Sequence, residues 1–489
     1  MLNKTLLGSA AVIMTMVGAQ AADLPSKKAA PATYVKICDA YGAGFFFIPG
    51  TDTCVKLGGY SRVEAQYVPG ANIYSNAGAL TQTSGSQDTS GFEVRGRLEA
   101  DARTPTSYGV ARTLVAIRAT NSSGLRNSSA STTVYYNNPG LGSIAQTTNA
   151  LPNTNQGNVT LERALMQWAG FTVGVAPENY ADMPSIMYGS TLWAGYPNGM
   201  PQISYTAVLG GGLSATLALE DIKAGNYGNE VTVTPRNQIQ YVASLRLDQS
   251  WGFVKLNGDL TNNSYWNDSA VSAAGVMGAI GTNQYTSNLG YKTQQGYAVG
   301  ATVMFNLPML AAGDKIWFSG NYSDGNIGQL LSTGSIWSGS AASGGRIAGG
   351  AYNAYSNVIV TNTNGGTNNL AYSVGTTKGW NLGAAMTHYW DAKWRSNIAT
   401  SYVNLTPPTS TVNVVGKGSA WTAAASLIYS PVQNFDIGLE MQYLTARTSF
   451  NAGAAGQTAL ATFNTAAATS GAKLSGSNVS TKVRVERQF

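Results

Sequence analysis

Charged residues are scarce in this sequence. Only 11% of the 489 residues are Asp, Glu, Lys or Arg, although 44% are hydrophobic. Soluble globular domains carry roughly a quarter charged residues. The formal net charge of +6 is small for so long a chain and argues against the concentrated basic surface that nucleic-acid binding needs. A large protein so poor in charge is expected in a membrane environment.

Histidine is almost absent, and His388 is the single example in the chain. One histidine and two cysteines make a zinc site a poor interpretation, and a hydrolase nucleophile needs a base beside it. His388 precedes Tyr389 and Trp390, a setting that favours a membrane-surface position at a strand end. Gly210–Gly212 lacks the lysine and hydroxyl of a phosphate-binding loop and is interpreted as a hairpin turn. We therefore expect no enzyme, no metal and no cofactor.

Long hydrophobic runs are missing beyond the first residues. Lys4 precedes the apolar run Leu6–Val17, which is followed by a small-residue cleavage pattern that ends at Ala21. The run is too short to cross a bilayer as a helix. We expect residues 1–21 to be a signal peptide and residues 22–489 to form a single exported domain.

Cysteine is nearly absent as well, with only Cys38 and Cys54 near the expected mature N-terminus. In an oxidising compartment such a pair is predicted to form a disulfide. Two free buried thiols are the alternative.

The sequence is rich instead in alternating polar and apolar residues. Between residues 92 and 103 the even positions are apolar or small, whereas all the odd positions are charged. Successive side chains of a strand point to opposite faces, so this pattern predicts a strand between an apolar and a polar medium. The alternation recurs near residues 213–220, 240–247, 297–305 and 435–443.

About sixteen such segments can be placed along the chain. In lipid every backbone polar group must be bonded internally, so a sheet crosses the membrane only as a closed barrel. The sequence therefore predicts an all-β fold, a transmembrane antiparallel β-barrel in which short turns alternate with long Ser, Thr, Asn and Gly-rich loops. The longest connection, about Asp324–Lys378, is interpreted as a flexible external loop because it has almost no charge and little bulky apolar content.

The chain ends on an alternating segment, Thr481–Phe489. A terminal aromatic residue inside such a strand is typical of outer-membrane barrels, so Phe489 is predicted to close the barrel. Taken alone, the segment also fits an amphipathic strand packed on a soluble core.

Residues 35–60, VKICDAYGAGFFFIPGTDTCVKLGGY, resemble the N-terminal signature of the alphaproteobacterial porin family of the rhizobial and Brucella type. Shorter islands of resemblance continue to the C-terminus, including Leu161–Val173, Phe435–Tyr443 and Val483–Phe489. The resemblance implies a trimeric, sixteen-stranded porin of the bacterial outer membrane that contacts lipid and lipopolysaccharide. It also implies passive diffusion of small hydrophilic solutes and ions past a third external loop folded into the lumen.

The resemblance places this third loop from about Ala176 to Gly199 and assigns Glu178 and Asp182 as its constriction acids. Facing rows of opposite charge across a narrow pore would create a transverse field that tunes ion preference. The alternative is that some of the arginines only neutralise neighbouring carboxylates on the wall. The predicted basic wall consists of Arg62, Arg95, Arg97, Arg103, Arg112 and Arg118.

Two other functions compete with general diffusion. A substrate-selective channel, for example for sugars, would show an aromatic stripe along the lumen, for which Trp317 is the main candidate. A surface structural protein or adhesin built as a solenoid would show fixed-period repeats, which the sequence lacks.

Overall fold

Antiparallel strands dominate the protein. The computed structural model describes residues 36–68, 72–75, 78–80, 90–124, 133–138, 142–147, 156–189, 199–221, 234–236, 239–266, 291–331, 358–362, 372–408, 415–450 and 473–489. Within these ranges one sheet contains twenty strands, and sixteen of them form a closed ring. They are β1 (Cys54–Tyr67), β2 (Ser90–Thr106), β3 (Gly109–Ser122), β4 (Gln156–Trp168), β5 (Phe171–Ala176), β6 (Met200–Gly210), β7 (Leu213–Asp221), β8 (Ile239–Gln249), β9 (Gly252–Trp266), β10 (Tyr291–Asn306), β11 (Lys315–Asp324), β12 (Lys378–Tyr389), β13 (Trp394–Thr406), β14 (Val415–Val432), β15 (Phe435–Phe450) and β16 (Lys473–Gln488).

Pairing of the first and last strands closes the barrel. Each strand pairs antiparallel with the next along the chain, and β16 pairs with β1 from Tyr60 opposite Gln488 to Tyr67 opposite Thr481. The Phe489 N–H donates to the Gly59 carbonyl at 3.0 Å, and the Gly59 N–H donates to the Phe489 carbonyl at 3.1 Å. The predicted antiparallel barrel of about sixteen strands is confirmed.

Smaller elements accompany the barrel. None of the helices among the described residues is long and apolar enough to cross a membrane. The predicted signal peptide lies outside the described residues. The further strands are Phe46–Phe47, Asn72–Ser75, Gly78–Leu80, Thr133–Asn138, Gly142–Thr147, Thr234–Arg236, Val358–Asn362 and Tyr372–Thr376, and the 3-10 helices are Asp39–Tyr41 and Ile327–Gln329.

The two faces of the wall differ as the alternation predicts. On β9, Leu256 and Leu260 are 54% and 62% exposed on the outer face, whereas Asn257 and Asp259 between and beside them are buried on the inner face. An apolar outer face and a polar inner face are the arrangement of a membrane barrel with an aqueous interior.

Connections at the two ends of the barrel differ in length. Short turns follow the even-numbered strands, for example residues 107–108 after β2, 211–212 after β6 and 433–434 after β14. The connections after the odd-numbered strands are longer, except that residues 407–414 after β13 match residues 307–314 after β10 in length. We call the two ends the turn end and the loop end. In the last of these turns Asn434 adopts φ 61°, a left-handed conformation that Asn tolerates better than most residues.

A disulfide fixes the segment before β1. Cys38 and Cys54 are bonded, with 6.1 Å between their Cα atoms, which confirms the predicted pair. Both cysteines are buried with Phe45, and the Arg103 guanidinium lies 4.8 Å from the Phe45 ring centroid. The bond therefore holds the N-terminal segment against the turn end of the barrel wall.

Replacing Cys38 with serine is expected to lower the free energy of unfolding by about 3 kcal/mol, because the reduced chain regains the entropy of a loop of this size. Urea unfolding of the folded, detergent-solubilised protein, followed by tryptophan fluorescence, measures the change. The Cys38→Ser/Cys54→Ser double variant serves as the control and should match the single variant. A midpoint equal to that of the wild type in both variants would show that the disulfide does not stabilise the barrel.

Candidate functional site

The predicted basic wall lies on three neighbouring strands. Arg62 belongs to β1 and stands opposite Arg95 of β2, and Arg97 of β2 stands opposite Arg118 of β3. These arginines alternate with exposed outer residues such as Leu98, so their side chains belong to the inner face. The structure thus brings these four predicted residues together on one side of the lumen.

Arg103 and Arg112 lie at a different level of the same wall. They stand opposite each other beside the short turn between β2 and β3, at the turn end. Both bind the carboxylate of Asp101, at 2.8 and 3.0 Å. Arg103 also lies over the Tyr41 and Phe45 rings, so it links the N-terminal segment to the inner wall at the turn end.

Carboxylates of the wall accompany the other four arginines. Arg62 pairs with Glu486 and Arg95 pairs with Glu93, each at 2.6 Å. The wall is therefore an alternating network of both charges. Arg97 contacts Glu99 at 2.6 Å and Glu162 at 2.9 Å, Arg118 contacts Glu162 at 3.3 Å, and Arg484 pairs with Glu64.

Sequence reasoning missed part of this network. Glu162, Arg484 and Glu486 belong to it but were not predicted as site residues. The sequence pattern does indicate two of them, since Arg484 and Glu486 are at polar positions of the C-terminal alternating segment. What the sequence could not supply is the pairing of β16 with β1, which brings Arg484 next to Glu64.

The segment that follows β5 lies against the inner face of other strands. The Asn179 N–H donates to Glu220 at 2.7 Å, and the Asn179 side-chain amide donates to Gln202 at 2.5 Å. Tyr180 is fully buried against the small inner residues of β7, β8 and β10, and Glu178 is buried as well. These contacts fix the first residues of the predicted third loop, of which residues 190–198 lie outside the described part of the chain.

The second predicted acid is ion-paired in the structure. Asp182 accepts a hydrogen bond from Arg246 of β8 and lies 3.6 Å from the Lys255 ammonium of β9. Arg246 also binds Asp248 at 2.8 Å. The cations that contact Asp182 are thus on β8 and β9, whereas the predicted basic wall is on β1–β3.

Apolar contacts and a carboxylate hold the rest of this segment. Met187 packs in a buried cluster with Phe253 and Trp317. The N–H groups of Tyr188 and Gly189 both donate to the Glu440 carboxylate, at 2.5 and 2.6 Å. Because a carboxylate satisfies two loop N–H groups, it is a strong anchor.

Tyr188 links the segment to the charged wall. The Lys482 ammonium donates to its carbonyl at 3.0 Å, and the Arg484 guanidinium lies 3.9 Å from its ring centroid. Burial raises the pKa of the Tyr188 hydroxyl to about 12. Residues 177–189 therefore run along the inner face from β6 to β16, and the strands β1–β4 with their arginines and carboxylates form the other side of the lumen.

Comparison with known proteins identifies the family of the chain. The family profile described as "Porin subfamily" matches residues 23–472. The chain is 30% identical to "Porin Omp2b" of Brucella suis biovar 1 (strain 1330) over 269 residues, which covers 52% of this chain and 64% of that protein. Porin Omp2b of Brucella abortus (strain 2308) matches with the same identity and coverage. The chain thus spans less than two thirds of the length of these relatives.

Among solved structures, the outer membrane channel DcaP of Acinetobacter baumannii is similar in fold. The two chains superpose with a TM-score of 0.53 and 14% sequence identity, over 91% of this chain and 99% of that one. At this identity the likeness concerns the barrel alone.

Proposed function

Since the chain belongs to the porin subfamily and is an outer-membrane β-barrel, we propose that it forms a water-filled channel for passive diffusion of small hydrophilic solutes and ions. The observation that carries the proposal is the charged inner wall of β1–β4 within a closed sixteen-strand barrel. A barrel of this size encloses an aqueous lumen, and rows of fixed charge tune which ions pass. The concentration gradient supplies the driving force.

We propose that residues 177–189 form the constriction together with this wall. The anchors on Glu440 and on Arg246 support a loop held inside the barrel. Arg62, Arg95, Arg97 and Arg118 would line the opposite side and place guanidinium groups next to the solute path. Glu178 and Asp182 would influence passing ions through their electric field, and they would also help to hold the loop in position.

We also propose how the chain is processed and assembled. Residues 1–21 would be removed as a signal peptide, and residues 22–489 would form one barrel domain. The sequence resemblance supports a homotrimer whose outer faces meet lipid, lipopolysaccharide or neighbouring subunits. A sugar-selective channel is less well supported, because Trp317, the main inward aromatic candidate, is buried against Met187.

Single-channel recording of the purified, detergent-extracted protein in planar bilayers tests the channel proposal. We expect stepwise ohmic openings, in groups of three if the trimer inserts as a unit. A salt gradient across the bilayer would give a reversal potential and hence the ion preference. A folded protein that never conducts would overturn the channel function.

A further inference from the structure

The first residues of the long connection after β11 are buried inside the barrel. All residues from Gly325 to Leu331 are buried, and Gln329 and Leu330 are fully inaccessible. The sequence interpretation of Asp324–Lys378 as a flexible external loop is therefore wrong for these seven residues. Residues 332–357 and 363–371 of the connection lie outside the described residues.

Polar contacts attach this segment to the inner face on one side. The Asn326 side-chain amide donates to Gln240 at 2.9 Å, to Asp259 at 3.0 Å and to Thr261 at 3.0 Å. These acceptors are buried residues of β8 and β9. They alternate with exposed outer residues such as Leu260, so Asn326 reaches the wall from the lumen.

A hydrogen bond and a cluster of apolar contacts attach the other end of the segment to β12–β15. The Leu330 carbonyl accepts a hydrogen bond from Asn381 of β12 at 2.7 Å. Leu330 shares one buried cluster with inner residues of three further strands. The members of this cluster are Ile327, Leu330 and Leu331 of the segment, Val403 and Leu405 of β13, Ala420 of β14, and Leu444 and Ala446 of β15.

A glycine on β12 allows this close packing. A Cβ atom at Gly379 would lie 2.8 Å from Leu330 Cδ1 and 2.4 Å from the Asn404 carbonyl oxygen. Both distances are shorter than van der Waals contact. Leu330 therefore packs directly on strand backbone, which any larger residue at position 379 would prevent.

The reach of these contacts places the segment in the lumen. They extend from β8 to β15, which is seven of the sixteen spacings between neighbouring strands of the barrel. Along the wall this distance is about 34 Å, since neighbouring strands lie about 4.8 Å apart. Seven residues span at most about 25 Å when fully extended, and the helical turn Ile327–Gln329 shortens this segment further. The segment therefore stands in front of the wall and occupies lumen volume.

Gln240 of β8 accepts a hydrogen bond from Asn326 and donates to Glu220, which binds Asn179, so the beginning of the loop after β5 lies level with the segment. The segment is displaced toward the loop end relative to Asp182. On β8 it contacts Gln240, whereas Asp182 of the loop contacts Arg246 six residues further toward the turn end. Six residues correspond to about 20 Å along a strand. The contacts described for both segments are on β6–β16, across the lumen from the arginines of β1–β3.

We propose that residues 325–331 form a second, outer constriction of the channel. At the loop end it narrows the lumen and confines solutes to the side lined by the arginines of β1–β3. This inference rests on the proposed channel function. The segment thereby becomes a determinant of the size limit for solutes in addition to the loop after β5.

Leu330→Asp tests this inference, because a carboxylate cannot stay among the buried apolar side chains of the cluster. The released segment should raise single-channel conductance by at least about twofold and admit larger sugars in liposome swelling. Leu310→Asp is the matched control, since Leu310 lies exposed near the turn end, and it should behave as the wild type. Heat-dependent gel mobility reports whether each barrel is folded.

A milder variant, Leu330→Ala/Leu331→Ala, keeps the test decisive if the aspartate variant does not fold. An increase in conductance and size limit in either folded variant supports the outer constriction. If the wild type conducts and the folded variants match it, the outer constriction is overturned while the channel function stands. If the folded wild type and all folded variants are silent, the channel function and this inference both fail.

Discussion

Replacing Arg95 and Arg97 with serine is expected to increase single-channel conductance and to shift ion selectivity toward cations. Both guanidinium groups lie on the inner face and pair with Glu93, Glu99 and Glu162. The double variant removes two positive charges and their bulk but leaves these carboxylates in place. One unit charge at contact distance changes the energy of an ion by about 1 kcal/mol in water, so the cation-to-anion permeability ratio should rise by roughly fivefold or more.

Reversal potentials in a salt gradient measure this ratio, and conductance at high salt measures the change in pore size separately. Arg487→Ser is the matched control, since Arg487 is exposed at the turn end, where it donates to the Gln433 carbonyl. The control should keep the wild-type potential. Unchanged current and reversal potential in the Arg95→Ser/Arg97→Ser variant would remove these arginines from the constriction.

Local alternation is the reason that the barrel could be predicted from the sequence. A strand that separates lipid from water must alternate at every residue, so the pattern at residues 92–103 anticipates most of β2. The same rule anticipated the start of β15 and the end of β16. Short turns were equally visible, because glycine and polar clusters interrupt the alternation there.

Contacts across the lumen could not be predicted in the same way. The sequence identified Asp182 as an acid of the third loop, but its partners Arg246 and Lys255 lie more than sixty residues away. Such pairs depend on where the loop descends inside the barrel, and strand periodicity carries no information about this. The alternation does identify the inner face of each strand, and only the fold shows which inner faces meet.

The prediction of an exposed loop after β11 was wrong for a related reason. A connection poor in charge and bulky apolar residues favours an exposed loop, and Asp324–Lys378 as a whole has that composition. Three apolar residues, Ile327, Leu330 and Leu331, stand at its very start. They are buried because β13 and β15 present apolar residues such as Leu405 on a face that is otherwise polar. Apolar residues at inner-face positions of β13 and β15 were thus the sequence pattern that could have predicted a buried segment.

A charge placed in the middle of the outer face provides the sharpest test of the membrane-facing surface. On β13 the outer row contains Trp394 near the turn end, Ile398 in the middle and Tyr402 toward the loop end. Trp394 and Tyr402 are separated by about 27 Å along the strand, a length comparable to the apolar band of a tilted barrel strand. Ile398 is 58% exposed, whereas its neighbours Asn397 and Ala399 are buried on the inner face.

Ile398→Arg is expected to lower the free energy of unfolding by about 2–4 kcal/mol, because the guanidinium would lie near the bilayer midplane. Val432→Arg is the control, since Val432 lies on the same barrel at the turn end and should lose no more than about 1 kcal/mol. Denaturant unfolding in lipid vesicles measures both values. If Ile398→Arg proved as stable as Val432→Arg, the outer face of β13 would not face lipid. If a neighbouring subunit rather than lipid covered Ile398, the buried charge would also lower the stability. In that case the Ile398→Arg protein would in addition dissociate into monomers in native gels. Native gels therefore distinguish a lipid-facing position from a subunit interface.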